Sequence, residues 1–175
     1  MKITRFAANR IFHRIGTMAL GHLDEKTLEA VIENFNVFRK VVDDLETLKR
    51  ELFKRIYGDL DKMDEVDREK IISFFELIEK IENADKDERI KLDTAAKETH
   101  PELYELRKKE LATIIFLLNK EVEVEVSMVD ADEFIKGIIK GKKDVSVNEI
   151  RSIFGFMLEE KEEGDVDLSE LDGLV

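Results

Sequence analysis

Apolar residues recur every three to four positions along most of this chain, while one stretch, EVEVEV at 121–126, alternates with a period of two. The first pattern predicts amphipathic helices and the second a half-buried strand. Residues 1–4 read as extended. Residues 5–20 predict a first helix with Phe6, Ile11, Phe12, Ile15 and Met18 available for burial. Gly21 suits its C-terminal end, and Asp24 suits the N-cap of the next helix.

Residues 24–57 carry the strongest pattern. Leu28, Val31, Phe35, Phe38, Val42, Leu45, Leu52 and Ile56 follow steps of three and four, broken once at Lys49. Such spacing predicts one long helix packed in coiled-coil fashion, about 50 Å from end to end and closed by Gly58. A helix over 67–82 presents Ile71, Phe74, Phe75, Ile78 and Ile81. The pattern leaves 83–98, which is dense in charge, open between helix, kinked helix and loop. Thr99-His100-Pro101-Glu102 reads as a capping box with proline in the first turn of a helix reaching Asn119. Its apolar end, LATIIFLLN (111–119), is too short to span a bilayer and suits a buried helix. After the strand, Asp130 caps a short helix stopping at Gly141. Ser146 and Glu149 form a second capping box, stapled by Val145 and Ile150, for a helix using Ile150, Ile153, Phe154, Met157 and Leu158.

The expected fold is mainly α: a long helix in a helical hairpin or bundle with the 67–82 and 100–119 helices, plus a minimal two-stranded β element. One helical domain covers 1–160, and 161–175 is an acidic, disordered tail. The strand needs a partner. Residues 144–147 are committed to capping, which leaves Lys2–Thr4, with Ile3 joining Val122, Val124 and Val126 on the inner face. Lys2 would then meet Glu123 or Glu125 on the outer face. The strand's other edge stays open, which makes Val122, Val124 and Val126 a candidate edge-strand interaction site.

Composition narrows the chemistry. A 43% hydrophobic content supports a real core, and the absence of cysteine removes disulfides and thiolate metal sites. The net charge is −12, and residues 159–175 alone hold eight acids against Lys161. Non-specific nucleic-acid binding is disfavoured, because it requires a positive field that displaces counterions. No run is long enough for a membrane span. The first 23 residues reverse the charge, with Lys2, Arg5, Arg10 and Arg14 and no acid. A transit peptide has that character, but serine is missing and the segment reads as continuous with the fold. Arg10 and Arg14 stand one helical turn apart and Arg5 approaches the same side, forming a candidate clamp for an anion or an acidic partner. The competing reading is a solvated face neutralised by acid-rich helices.

Motifs for catalysis are missing. His13, His22 and His100 lack metal-ligand spacing. GIIKGKK (137–143) has three residues between its glycines, where a phosphate loop has four, and no Ser or Thr after the lysine. Asp59, Asp61, Asp64 and Asp67 mimic a calcium loop only until its sixth position, which is Asp64, and its twelfth, which is Lys70. No nucleophile elbow, dinucleotide fingerprint or kinase-type motif occurs. The expectation is a protein with no enzymatic activity, no cofactor and no metal.

Three segments carry a resemblance: RFAANRIFHRIGTMALGHLDEKTLEAVIENFNVFRKVVDDLETLKRELFKRIYGD (5–59), LATIIFLLNKEVEVEV (111–126) and VSVNEIRSIFGFMLEE (145–160). Their order resembles a family of small uncharacterised proteins, a domain of unknown function, encoded by tailed phages and prophages. The family pattern of a long helix closing near Tyr-Gly is matched by Tyr57-Gly58. Its Leu-Leu-Asn, acid–aliphatic alternation and Phe-Met are matched by Leu117-Leu118-Asn119, Glu121–Val126 and Phe156-Met157. The chain departs from it at 60–110 and in the acidic tail. The resemblance implies action in the cytoplasm of a bacterial host or in a virion, and carries over no catalytic residue. The function expected is that of a phage accessory protein working by protein–protein contact, inhibiting or redirecting a host factor through an acidic surface that mimics nucleic-acid phosphates. The alternative is a virion assembly or structural subunit forming a symmetric homo-oligomer through the long helix.

Overall fold

The computed structural model describes residues 1–141 and 146–159. In chain order its elements are strand β1 (Lys2–Thr4), helices α1 (Arg5–Gly16), α2 (Glu25–Tyr57), α3 (Glu65–Asn83), α4 (Lys86–Thr99) and α5 (Pro101–Asn119), strands β2 (Glu121–Glu123) and β3 (Val129–Asp130), helices α6 (Ala131–Gly141) and α7 (Val147–Phe154), and strand β4 (Leu158–Glu159). The protein is mainly α with a minimal β component. Its chain divides into two compact units, one holding 1–42 and the chain from Glu121 onward, the other 43–120. The expectations for the tail at 161–175 and for the staple residue Val145 lie outside the described residues.

In the first unit the alternating valines pair with the N-terminal strand. β1 and β2 run antiparallel with Ile3 opposite Val122 and Lys2 opposite Glu123. Met1 and Val124 extend the ladder by exchanging backbone bonds, the Val124 amide donating to the Met1 carbonyl at 2.8 Å. That exchange makes Lys2–Glu123 a non-hydrogen-bonded pair, the type in which facing side chains come closest. Ile3 and Val124 are buried, and Val122 and Val126 pack on the same core. A second pairing, absent from the sequence expectation, joins β3 to β4 in parallel, with Val129 opposite Leu158. Two-residue strands leave too little alternation for a pattern to register.

α1 starts where Thr4 accepts the Ala7 amide at 3.2 Å. It stops at Gly16 rather than near residue 20, because the Thr17 amide and hydroxyl both close on the Arg14 carbonyl. The loop that follows runs so close to α6 that a Cβ on Gly141 would lie 2.8 Å from the Ala19 methyl and 2.9 Å from its carbonyl. One on Gly137 would lie 2.5 Å from Leu23. The glycines of GIIKGKK therefore permit close backbone packing. Asp24 caps α2 as expected, and hydrogen bonds from the Thr27 hydroxyl and amide hold its carboxyl below the usual range.

The buried line on α2 includes Val31, Phe38, Leu45 and Leu52, as the periodicity requires, but also Thr27 and Asn34 in place of Leu28 and Phe35, which are half-buried. Phe35 instead stacks on Phe12 of α1 at 4.8 Å. The core of this unit adds Phe134, Ile138, Ile150, Phe154 and Met157 from the C-terminal elements. In the second capping box the Ser146 carbonyl accepts the Ile150 amide at 3.1 Å. The Glu149 side chain lies outside what is described.

The second unit is a helical assembly of α2 from Asp43 with α3, α4 and α5. Gly58, at φ +90°, supplies the left-handed turn that ends α2. Asp64 accepts the Asp67 amide at 3.0 Å, so α3 begins at Glu65, ahead of the expected 67. The open stretch 83–98 is helical: Asp85 accepts the amides of Asp87 and Glu88, each at 3.0 Å. Arg89 meanwhile covers the carbonyls of Ile81, Glu82 and Ala84 at the end of α3. Thr99 is not an N-cap. It is the last residue of α4 and its hydroxyl returns to the Ala95 carbonyl. The break falls at His100, because Pro101 excludes helical geometry from the residue before it. Tyr57, Ile71, Phe74 and Leu103 form the buried core, with Phe53 and Phe75 against it.

Candidate functional site

Among the three arginines singled out in the sequence, the structure brings two together. Arg10 and Arg14 line an open groove of about 590 Å³ between α1 and α7, with Ala7, Asn9, Ile11, His13, Thr17, Ser152 and Ile153. Positions 10, 13, 14 and 17 share one face of α1 by helical spacing. Arg10 is exposed, and its guanidinium lies 6.0 Å from the Phe6 ring. Arg5 lies elsewhere. It does not line the groove, and its Nε and Nη1 are shielded with no hydrogen-bond partner among the described residues.

The candidate strand edge is half committed. β2 pairs with β1 on one side and has no strand on its other side among the described residues. The three valine side chains belong to the core, so a partner there would meet only backbone and the exposed Glu121, Glu123 and Glu125.

A feature that the sequence placed in the interior lies on the surface. No residue of LATIIFLLN is buried: Leu111 is 42% exposed, Ile115 58% and Phe116 68%. Leu111 and Ile115, at i and i+4, share a face of α5, and Phe116 adjoins it about 100° further round the helix. The same helix does bury a charge. Glu110 accepts from the Tyr57 hydroxyl at 3.0 Å and from Arg107 Nη1 at 2.6 Å. Burial, reinforced by the Glu110 charge, pushes the Tyr57 hydroxyl well above its ordinary pKa. The signal for this cluster in sequence was the single acid among the apolar positions that follow Leu106.

The acids of 59–67 have structural tasks: Asp59 faces Lys54 at 3.5 Å and Asp64 caps α3. Among the described residues no three acidic or histidine side chains are grouped to hold a metal, and no helix is long and apolar enough to cross a membrane. Comparison with family models, curated proteins and solved structures returns no match, so the likeness to the phage family rests on the three quoted segments alone.

Proposed function

We propose that the protein is a non-enzymatic accessory protein of a phage or prophage that works in the bacterial cell by binding another protein through α5. The exposed face of Leu111, Ile115 and Phe116 carries this reading. Leaving such side chains in water forfeits about 1.5–3 kcal/mol each relative to full burial, so a partner that covers them gains the difference.

Charge defines the partner. The face is bordered by exposed Lys108, Lys109 and Lys120, and the one acid between them, Glu110, is turned inward. A basic rim in a chain of net charge −12 fits an apolar helix or groove edged with acids. A second copy packed in parallel fits poorly, because it would set each lysine beside itself. The proposed contact therefore moves from the acidic surface to α5.

The test is capture from a bacterial lysate, followed by reconstitution with the captured protein in purified form. A direct contact should persist with Val66→Lys, an exposed apolar site elsewhere, and be lost with Phe116→Glu. Equal retention by Phe116→Glu overturns the reading. A purified protein that forms rings or chains in solution instead favours the assembly-subunit alternative.

A further inference from the structure

We infer that the free edge of β2 takes an extended segment of another protein in which lysine or arginine alternates with aliphatic residues. The geometry starts from the existing ladder. Val124 exchanges backbone bonds with Met1, and Ile3 stands opposite Val122, so Val122 and Val124 turn their amides and carbonyls toward β1. Glu121 and Glu123 therefore aim theirs outward, where no strand meets them among the described residues. The free stretch ends before Ser127, whose amide and carbonyl are held by Asn34. An edge of this kind is a template for one more strand.

Side chains set the sequence that fits. Glu121, Glu123 and Glu125 are exposed on one face, and Glu33, which accepts from the Ser127 hydroxyl at 2.6 Å, adds a carboxylate where the free stretch ends. On the other face Val122 and Val126 are half-buried, which leaves part of each side chain at the rim of the core. An added strand would thus set alternate residues beside glutamates and the others beside valines. The chain holds an example on the opposite edge, where Lys2 faces Glu123 and Ile3 faces Val122. Charges on an edge ordinarily ward off further strands, but these glutamates repel acidic strands and attract basic ones. Pairing with β2 of a second copy would set glutamate beside glutamate in any register that keeps the valines on the core side. The occupant is therefore a basic strand from a different protein.

The experiment is a titration of the full-length protein with a capped hexapeptide alternating lysine and valine, followed through backbone amide NMR shifts and hydrogen exchange. Saturable shifts should centre on residues 121–125. The Glu121 and Glu123 amides should exchange freely in the protein alone and become protected in the complex. The same peptide N-methylated on its lysine amides, which face the edge, should bind about tenfold more weakly. A peptide with its lysines grouped at one end should also bind more weakly, and one alternating glutamate and valine should not bind. Glu123→Gln should weaken binding about two- to fivefold, the share of one exposed charge pair. Glu29→Gln, an exposed acid on α2, should leave the affinity unchanged. Amides far from β2 that keep their wild-type positions in Glu123→Gln report an intact fold. No saturation, equal affinity for the N-methylated peptide, or equal weakening by Glu29→Gln overturns the inference. Equal binding of the grouped peptide overturns the alternation, and binding of the glutamate peptide overturns the charge assignment. This inference is independent of the α5 contact, and either can fail without the other.

Discussion

Asn34 and Ser127 exchange two hydrogen bonds, the Asn34 side-chain amide donating to the Ser127 carbonyl at 2.8 Å and the Ser127 amide donating to Asn34 Oδ1 at 2.7 Å. A side chain on α2 thereby takes the place of a neighbouring strand just where the β1–β2 ladder has run out. The second proton of Asn34 Nδ2 points to Met157 Sδ at 3.3 Å, so a fully buried amide is satisfied on every side. Replacing Asn34 by alanine strands two backbone groups and should cost about 2–3 kcal/mol. Ser127→Ala removes only the exposed hydroxyl bond to Glu33 and should cost less than about 1 kcal/mol. Urea titrations of the two variants check the contrast.

Removal of residues 1–4 deletes the carbonyl that the Val124 amide bonds, and the strand opposite Val122 with it. Hydrogen exchange should show Val122 and Val124 protected in the intact protein and exposed in the truncated one. The Ser127 amide, held by Asn34, should keep more of its protection. Retained protection at Val124 would show that the valines pair elsewhere.

Phe38→Ala and Leu45→Ala each empty a fully buried site on α2 and should each cost about 2–5 kcal/mol. Lys49, whose one bond among the described residues is to Glu46 at 2.7 Å, should accept leucine at little cost. A silent Phe38→Ala in chemical denaturation would mean that the heptad register is wrong.

The two glycines of α6 should behave unlike those in open surroundings. Gly141→Ala meets the Ala19 backbone, which cannot yield as a side-chain tip does, and should lose about 1–3 kcal/mol despite alanine's better helix propensity. Gly155→Ala meets nothing within 4 Å and should be tolerated. Thermal melts of the pair give the comparison.

Alkaline pH should loosen the second unit through Tyr57. Its phenol has a raised pKa in the fold and an ordinary one near 10 in the unfolded chain, so the native state retains the proton longer. The stabilisation is fully present below about pH 10 and is lost as pH rises toward the folded-state value. Tyr57→Phe should remove this component, so the stability difference from wild type should shrink above about pH 10. An unchanged difference across that range would contradict the shift.

Much of the helical architecture was legible because it depends on local chemistry. Asp24, Asp130 and the residues around Gly58 marked helix ends by capping, and the seam of α2 declared itself by spacing. Even the pairing of Lys2–Thr4 with the alternating valines followed by elimination, though not its register. Asn34 was not legible: a polar residue between apolar ones reads as a solvent position unless its distant partner, Ser127, is known. α4 stayed undecided between helix and loop although Asp85 and Glu88 stand at capping-box spacing, because charge density masked the cap. The α5 face misled for the opposite reason, since hydrophobicity signals a need for cover and does not say which molecule provides it. The groove was half visible: Arg10 and Arg14 share a helix turn, whereas Ser152 and Ile153 reach it only through the tertiary fold.

The first unit is assembled from two stretches with residues 43–120 inserted between them, and this sets a timetable on the ribosome. At about 5–20 residues per second, Val124 is made about 6–25 s after Ile3. Through that interval Ile3 lacks the strand opposite it, and Ile11 and Ile15 have only Val31, Phe35 and Phe38 of their core, while α2 from Asp43, α3, α4 and α5 hold all of theirs within one continuous segment. The nascent chain thus closes its middle first and its ends last, and the apolar start of the molecule must be sheltered longest.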